Sequence, residues 1–168
     1  KLFFFPDQHL GRNTGLKFGL SDEDMVVYYP SKPHGDISDE VLARAKVVLW
    51  NGHCPVHMEF TANDIKRFRR QFPGCKVVVH PECQEDVLKA ADAVGSTHFI
   101  AEYVKKCQPG EIIFVGTEIS MVNRLSQEYP DRKVFRLHRS LCPTMYMINM
   151  TNLYYALDHL DEMPAVSI

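Results

Sequence analysis

Short apolar runs alternate with segments of mixed polarity along almost the whole chain. The runs are rich in Val, Ile, Phe and Tyr, and several are apolar at every position, which is typical of parallel strands covered on both faces. The predicted strands are Leu2–Phe5, Met25–Tyr29, Lys46–Trp50, Lys76–His80, Glu111–Gly116 and Lys133–Leu137. The predicted helices are Ser38–Ala45, Asp64–Gln71, Gln84–Asp92, His98–Lys106, Ile119–Glu128 and Asn152–Asp161. This alternation predicts an α/β fold with right-handed crossovers.

An aromatic-Pro turn between a helix and a strand occurs twice. The segment Gln71-Phe72-Pro73-Gly74-Cys75-Lys76-Val77 resembles Glu128-Tyr129-Pro130-Asp131-Arg132-Lys133-Val134. A histidine ends or follows the strand in both cases. Such a repeat favours tandem three-layer α/β modules with short, mostly parallel sheets over one large sheet.

Composition narrows the classes of function. The chain has 168 residues, 45% of them hydrophobic and 24% charged, which suits one ordinary domain or two small ones. A net charge of -2 gives no electrostatic reason to expect nucleic acid or an anionic membrane as partner. No apolar run approaches the roughly 18 residues of a membrane span. Five cysteines without a disulfide-scaffold spacing predict a reducing, cytoplasmic setting in which they are free or bind metal.

Reactive side chains follow several of the predicted strands. Cys54 lies in Asn51-Gly52-His53-Cys54-Pro55-Val56-His57, and the next strand leads into His80-Pro81-Glu82-Cys83. Cys142 lies in Leu141-Cys142-Pro143-Thr144-Met145-Tyr146. Because ligand sites of open α/β sheets lie at the carboxyl ends of strands, we expect these clusters to form one site. Cys75 and Cys107, which lack such neighbours, are expected to fill the core.

Two metal sites are compatible with this pattern. Cys54, His57, His80 and Cys83 have the ligand types and short spacings of a structural zinc site. Alternatively, Cys54 and Cys142 are thiolate ligands of an iron–sulfur cluster, and the His and Glu residues handle substrate. Two cysteines are too few for a cluster, so the second hypothesis requires a ligand from outside the chain.

Three further segments have both a functional and a structural interpretation. Gly95-Ser96-Thr97 and Gly116-Thr117 could present N–H groups and hydroxyls to a phosphate, or could be ordinary helix caps. Residues 6–14 are predicted to form a polar turn, in which Asp7 and Arg12 could pair with each other. The C-terminal methionines are predicted to be core and cap residues; they are Met145, Met147 and Met150.

Together the motifs resemble those of the quinolinate synthase (quinolinate synthetase A) family, iron–sulfur enzymes of NAD biosynthesis. The matching segments are Phe4–Thr14, Asn51–His57, Val79–Cys83, Val94–Thr97, Val115–Glu118 and Leu141–Tyr146. They occur in the family's order with family-like spacing across nearly the whole chain.

The resemblance implies a fragment of a larger protein. Family members have three similar α/β modules, each of which supplies one cysteine to the cluster. Residues 1–52 would be part of the second module, 53–140 the third module, and 141–168 a C-terminal segment returning toward the first module, which has no counterpart here. Cys54 and Cys142 match two of the cysteine ligands, and the third is absent from this chain.

The resemblance also implies a reaction, in which iminoaspartate condenses with dihydroxyacetone phosphate to give quinolinate. A [4Fe-4S] cluster with one open iron would act as Lewis acid, and proton transfers would fall to His57, His80 and Glu82. The residues matching the family's substrate contacts are His80, Pro81, Glu82, Ser96 and Thr97. A functional link to L-aspartate oxidase is implied as well. The contrasting hypothesis is a zinc-stabilised α/β binding domain without catalysis.

Overall fold

Two short sheets organise the protein, whose computed structural model describes residues 1–162. The first sheet has the order β1-β3-β2, and the second has the order β5-β4-β6-β7. Every strand pairing in these two sheets is parallel. The strands are β1 (Leu2–Phe4), β2 (Met25–Tyr28), β3 (Val47–Trp50), β4 (Lys76–Val79), β5 (Ala93–Val94), β6 (Ile112–Gly116) and β7 (Lys133–Arg136). The predicted α/β fold with short parallel sheets is therefore confirmed.

Helices connect the strands. Each of the six predicted helical segments corresponds to an observed helix, with ends shifted by a few residues. The helices are α1 (Gln8–Lys17), α2 (Asp39–Arg44), α3 (Pro55–Met58), α4 (Ala62–Gln71), α5 (Glu85–Ala90), α6 (Thr97–Lys106), α7 (Ile119–Glu128), α8 (Pro143–Tyr146) and α9 (Met150–Asp158). Short 3-10 turns occur at Asp22–Asp24 and Pro33–Asp36. Among the described residues, no helix combines the length and apolar character that a membrane crossing requires.

The central strands β4 and β6 of the second sheet are buried on both faces, which explains why they are apolar at successive positions. Val77 and Val79 point toward a core that contains residues of α4 and α5. Val78 points to the opposite core, which contains residues of α6 and α7. Cys75 and Cys107 are buried in these two cores, as expected.

Helix α1 replaces the polar turn predicted at residues 6–14, and its glycines explain the error. Its buried positions are Gly11, Asn13 and Gly15, so the helix shows no apolar stripe in the sequence. A Cβ atom at Gly11 would lie 2.6 Å from side-chain atoms of both Leu49 and Phe4. The glycines therefore let α1 lie directly on the first sheet.

The repeated aromatic-Pro turn begins with similar backbone angles in both copies, although Gly74 has φ 82° and the equivalent Asp131 does not have a positive φ. Phe72 ends α4 with φ -132° and ψ 76°, and its N–H donates to the Phe68 carbonyl oxygen. Tyr129 ends α7 with φ -123° and ψ 67°, and its N–H donates to the Leu125 carbonyl oxygen. The repeat in sequence thus corresponds to a repeat in local structure.

The C-terminal methionines were predicted to be core and cap residues; none of them is a core residue, whereas Met147 is the C-cap of α8. Met145, Met147 and Met150 are 49%, 65% and 79% exposed. No residue of α9 is buried, because within residues 1–162 no second layer packs over this helix. The apolar residues of this segment therefore gave no sign in the sequence that they are exposed.

Candidate active site

The carboxyl ends of the second sheet place several polar residues side by side. In the register of the sheet, Val79 lies opposite Val94 on one side and Gly116 on the other. The residues that follow these strand ends are therefore neighbours, including His80 and Thr117. The pattern of strand ends in the sequence predicts that reactive side chains meet here, and the structure brings His57, His80 and Glu82 into contact at this end of the sheet.

His57, His80 and Glu82 form one contact group. The Nδ1 atom of His57 lies 2.9 Å from Oε2 of Glu82, and its Nε2 atom lies 3.3 Å from Oγ1 of Thr117. The imidazole of His80 stacks on that of His57, with ring centroids 4.4 Å apart and planes inclined by 17°. Helix α3 supplies His57, whereas the loop after β4 supplies the other two residues.

The hydrogen bonds assign the proton positions in this group. Glu82 accepts from His57, and this hydrogen bond holds the pKa of the Glu82 carboxyl below its usual value. Burial lowers the pKa of His80, and the adjacent His57 lowers it further, so the His80 ring is favoured in its neutral form. The Glu82 backbone N–H points at Nδ1 of His80 at 3.3 Å, which leaves the ring proton on Nε2. The group thus combines an ionised carboxylate with an N–H donor.

Cys54 lies next to this contact group, and its backbone is bound by Asp7 at the start of α1. Its backbone N–H donates to Oδ2 of Asp7 at 2.8 Å, and Asp7 is only 4% exposed. Ligand atoms of Cys54, His57 and Glu82 all lie within 4.8 Å of one another, so these three residues could hold a metal ion. Burial raises the pKa of the Cys54 thiol, so its thiolate form needs a cationic partner such as a metal.

Cys142 lies in a loop that is tied to the Cys54 segment. The buried hydroxyl of Ser140 donates to the Val56 carbonyl oxygen at 2.8 Å, and both cysteines pack against the same core. The Oγ1 atom of Thr144 lies 3.1 Å from the Cys142 sulfur, and this hydrogen bond lowers the pKa of the thiol. This hydrogen bond therefore stabilises the thiolate of Cys142 relative to that of an unperturbed cysteine.

The two cysteines share one local conformation. Each immediately precedes a short helix whose first residue is Pro, namely α3 after Cys54 and α8 after Cys142. Their backbone angles are φ -82°, ψ 119° and φ -90°, ψ 113°. Both are partly exposed, whereas Cys75, Cys83 and Cys107 are buried.

The four-ligand zinc site expected from Cys54, His57, His80 and Cys83 is not favoured. Cys83 is fully buried, burial raises the pKa of its thiol strongly, and its sulfur lies 4.0 Å from the Gly116 carbonyl oxygen. The group that could hold a metal contains Glu82 instead of His80 and Cys83. Spacing in the sequence could not distinguish these sets, because Cys83 turns into the core while Glu82 turns toward His57.

Ser96 and Thr97 lie at the start of α6, beside the loop that contains Pro81. Ser96 and Pro81 both line a cavity of about 440 Å³. The Ser96 hydroxyl accepts from the Phe99 N–H and so caps the helix, while Thr97 is exposed in its first turn. The helix start that follows Gly116-Thr117 is already capped, because the carboxylate of Glu118 accepts from the Ser120 N–H.

Some residues of the site were missed or misassigned in the sequence. Asp7 does not pair with Arg12, whose partner is Asp22 on the surface. Asp7 instead caps α1 by accepting from the Leu10 N–H. Asn13, also on α1, donates to backbone carbonyl groups on either side of Glu82. The dipeptide Pro-Asp is a recognisable sequence signal of a helix start. No sequence signal identifies the tertiary partners of Asp7 and Asn13.

Comparison with known proteins gives one consistent family. The model of the family described as Quinolinate synthetase A protein matches residues 1–168. A quinolinate synthase of Geobacillus kaustophilus is 42% identical over 164 residues, which is 96% of this chain and 44% of that protein. One of Rhodopirellula baltica is 42% identical over 96% of this chain and 42% of its own length. One of Nocardioides sp. is 43% identical over 95% and 41%. The chain thus spans less than half the length of these curated relatives.

Proposed function

Because this chain belongs to the quinolinate synthetase A family, we propose that it forms part of an enzyme that condenses iminoaspartate with dihydroxyacetone phosphate to quinolinate. The observation that carries the proposal is the contact group of His57, His80 and Glu82 beside Cys54 at the strand ends. The reaction belongs to NAD biosynthesis, and its supply of iminoaspartate implies a functional link to L-aspartate oxidase. The chain would act as a segment of a longer polypeptide.

The donor set suits a [4Fe-4S] cluster held by Cys54 and Cys142. They are the two cysteines that are partly exposed, and the identical Cys-Pro helix starts present both in the same way. Further ligation would come from outside this chain, as two thiolates leave a cluster incompletely held. When bound, such a cluster supplies a Lewis acid for a substrate oxygen or nitrogen. Free cysteines also suit a reducing cytoplasm.

The three contact-group residues divide the proton transfers between them. Glu82, ionised and bonded to His57, is suited to accept a proton from substrate, with His57 stabilising the ionised carboxylate. His80 is suited to donate from Nε2 to an oxygen that gains negative charge as water is lost. The stack of His80 on His57 keeps both rings in a fixed orientation.

The loop after β5 is proposed to hold the charged groups of the substrates. Ser96 and Thr97 lie at the amino end of α6, where backbone N–H groups and the helix dipole favour a carboxylate or phosphate. Pro81, which directly follows His80, lines one cavity with Ser96, and this proximity supports a substrate that extends from His80 to the helix start. Binding there would orient the reacting atoms toward the contact group.

The test uses the complete polypeptide that contains this chain, reconstituted anaerobically with iron and sulfide. Quinolinate formation is measured from dihydroxyacetone phosphate and iminoaspartate generated by an aspartate oxidase. We expect His80→Ala and Glu82→Gln to keep the brown colour and iron content of the parent but to lose about 100-fold or more in rate. Glu85→Gln is the matched control, because Glu85 pairs only with Lys89 on the surface of α5.

Two results would contradict the proposal. Parental rates in both site variants would remove His80 and Glu82 from the chemistry. A complete polypeptide that binds one zinc ion tightly, contains no iron and forms no quinolinate would point to a binding domain without catalysis.

A further inference from the structure

The side-chain amide of Asn13 joins α1 to the loop that contains Glu82. Its Nδ2 atom donates to the Pro81 carbonyl oxygen at 2.8 Å and to the Cys83 carbonyl oxygen at 2.9 Å. These two carbonyl groups flank Glu82 on both sides. Asn13 is 9% exposed, and its hydrogen bond to Cys83 is buried, while that to Pro81 is partly buried.

These hydrogen bonds do not stabilise α1, the helix that contains Asn13. Asparagine is a weak helix former, and in the middle of a helix its side chain brings no cap. The interior of α1 packs on the first sheet, whereas Pro81 and Cys83 follow the second sheet. A buried amide in this place is therefore explained by the loop that it holds.

The loop is also held at its ends, because the His80 N–H donates to the Gly116 carbonyl oxygen and the Cys83 side chain is fully buried in the core. The Cys83 N–H donates to the His80 carbonyl oxygen and closes a turn, and the Glu82 N–H points at the His80 ring. Both of these contacts lie within the loop itself. Asn13 joins the Pro81–Glu82 and Cys83–Gln84 peptide groups to a different element, so it restricts the direction in which the Glu82 side chain leaves the backbone.

We propose that Asn13 is a positioning residue that holds the Glu82 carboxylate against His57. The inference rests on the proposed function, since it assigns Asn13 a role in the same site. The 2.9 Å contact between Glu82 and His57 requires a fixed backbone at residues 81–83, and Asn13 supplies the donor to both of its flanking carbonyl groups. Asn13 touches neither reacting group directly and acts through the loop.

Two substitutions separate the amide from the shape of the side chain. Asn13→Asp keeps the shape but turns an oxygen toward two carbonyl oxygens, which replaces attraction by repulsion. Asn13→Ala removes the amide and leaves the two carbonyl groups without this donor. Arg12→Gln is the matched control on the same helix, because Arg12 pairs with Asp22 at the surface.

The experiment compares these variants in the complete polypeptide by hydrogen exchange and steady-state kinetics. We expect amides of residues 80–84 to exchange about tenfold faster or more in both Asn13 variants, while peptides from α6 and α7 keep parental rates. Iron content should be unchanged. The kcat should fall about tenfold to 100-fold with little change in KM, because misplaced acid–base groups slow chemistry more than binding.

The outcomes separate this inference from the proposed function. Unchanged exchange in residues 80–84, or equal acceleration in all peptides, overturns the role of Asn13. An active parent whose Asn13→Asp variant keeps the parental kcat overturns it as well. A parent that forms no quinolinate overturns the proposed function instead, while hydrogen exchange still reports whether Asn13 holds the loop.

Discussion

Replacing Asp7 tests whether one buried carboxylate connects α1 to the segment that contains Cys54. Its Oδ1 atom accepts from the Leu10 N–H at 2.8 Å, and its Oδ2 atom accepts from the Cys54 N–H at 2.8 Å. Asp7→Asn keeps the shape and leaves one acceptor oxygen, so one of these N–H groups must face an NH₂ group. Asp7→Ala removes both acceptors.

The expected losses follow from the number of hydrogen bonds removed. A helix N-cap contributes about 1 kcal/mol, and a hydrogen bond to a charged group contributes about 1.5–3 kcal/mol. We therefore expect Asp7→Asn to lower the free energy of unfolding by about 2 kcal/mol and Asp7→Ala by about 3–4 kcal/mol. The order of the two variants matters more than either value.

Urea unfolding followed by circular dichroism measures these differences, with Asp22→Asn as control. Asp22 is an exposed partner of Arg12, so its replacement should change the free energy of unfolding by less than about 1 kcal/mol. Hydrogen exchange at the Cys54 amide should accelerate in both Asp7 variants. The reasoning would be refuted if Asp7→Asn matched the parent within about 0.5 kcal/mol or cost as much as Asp7→Ala.

Three further changes have defined outcomes. Gly11→Ala should destabilise the protein by about 1–3 kcal/mol in urea unfolding, because its Cβ would meet Leu49 at 2.6 Å; parental stability would show that α1 can move away. Cys83→Ser in the complete polypeptide should keep the iron content, since the Cys83 thiol is fully buried; iron loss would place Cys83 among the ligands. The Lys76 hydrogen bond lowers the pKa of Glu111, so its contribution to stability is present above the unfolded-state pKa of about 4.3 and is lost as pH falls through the lower folded-state pKa. The difference in unfolding midpoint between parent and Glu111→Gln should shrink over this acidic range, and a constant difference would contradict the assignment.

Periodic apolar patterns identified most of the fold and missed the elements that lack them. The central strands β4 and β6 of the second sheet are apolar because both of their faces are covered, and this feature is visible in sequence. Helix α1 was missed because glycines take the place of large apolar residues on its buried face. Strand β5 was missed because its two residues are too few to show a period.

The site residues likewise fall into those that a sequence pattern indicates and those that no pattern indicates. His57, His80 and Glu82 were identified because they stand next to strand ends and reactive neighbours, and adjacent parallel strands bring such ends together. Asn13 and Ser140 were missed because their partners are backbone carbonyl groups distant in sequence. A backbone carbonyl group is present at every residue, so sequence gives no sign of which one a side chain will contact.

The hydrogen bonds of Asp7 and Asn13 also form in a defined order while the chain is synthesised. Asn13 and its partner carbonyl groups are separated by 68 and 70 residues, and Asp7 and Cys54 by 47. At about 5–20 residues per second, a ribosome needs roughly 4–14 seconds between adding Asn13 and adding Cys83. During that interval α1 can settle on the first sheet and receive Cys54, but Asn13 still lacks its loop. A newly made chain would therefore form the bond from Asp7 to Cys54 first and the Asn13 bonds to the Glu82 loop second. A pause in translation between the two sheets would prolong the intermediate that contains only the first bond.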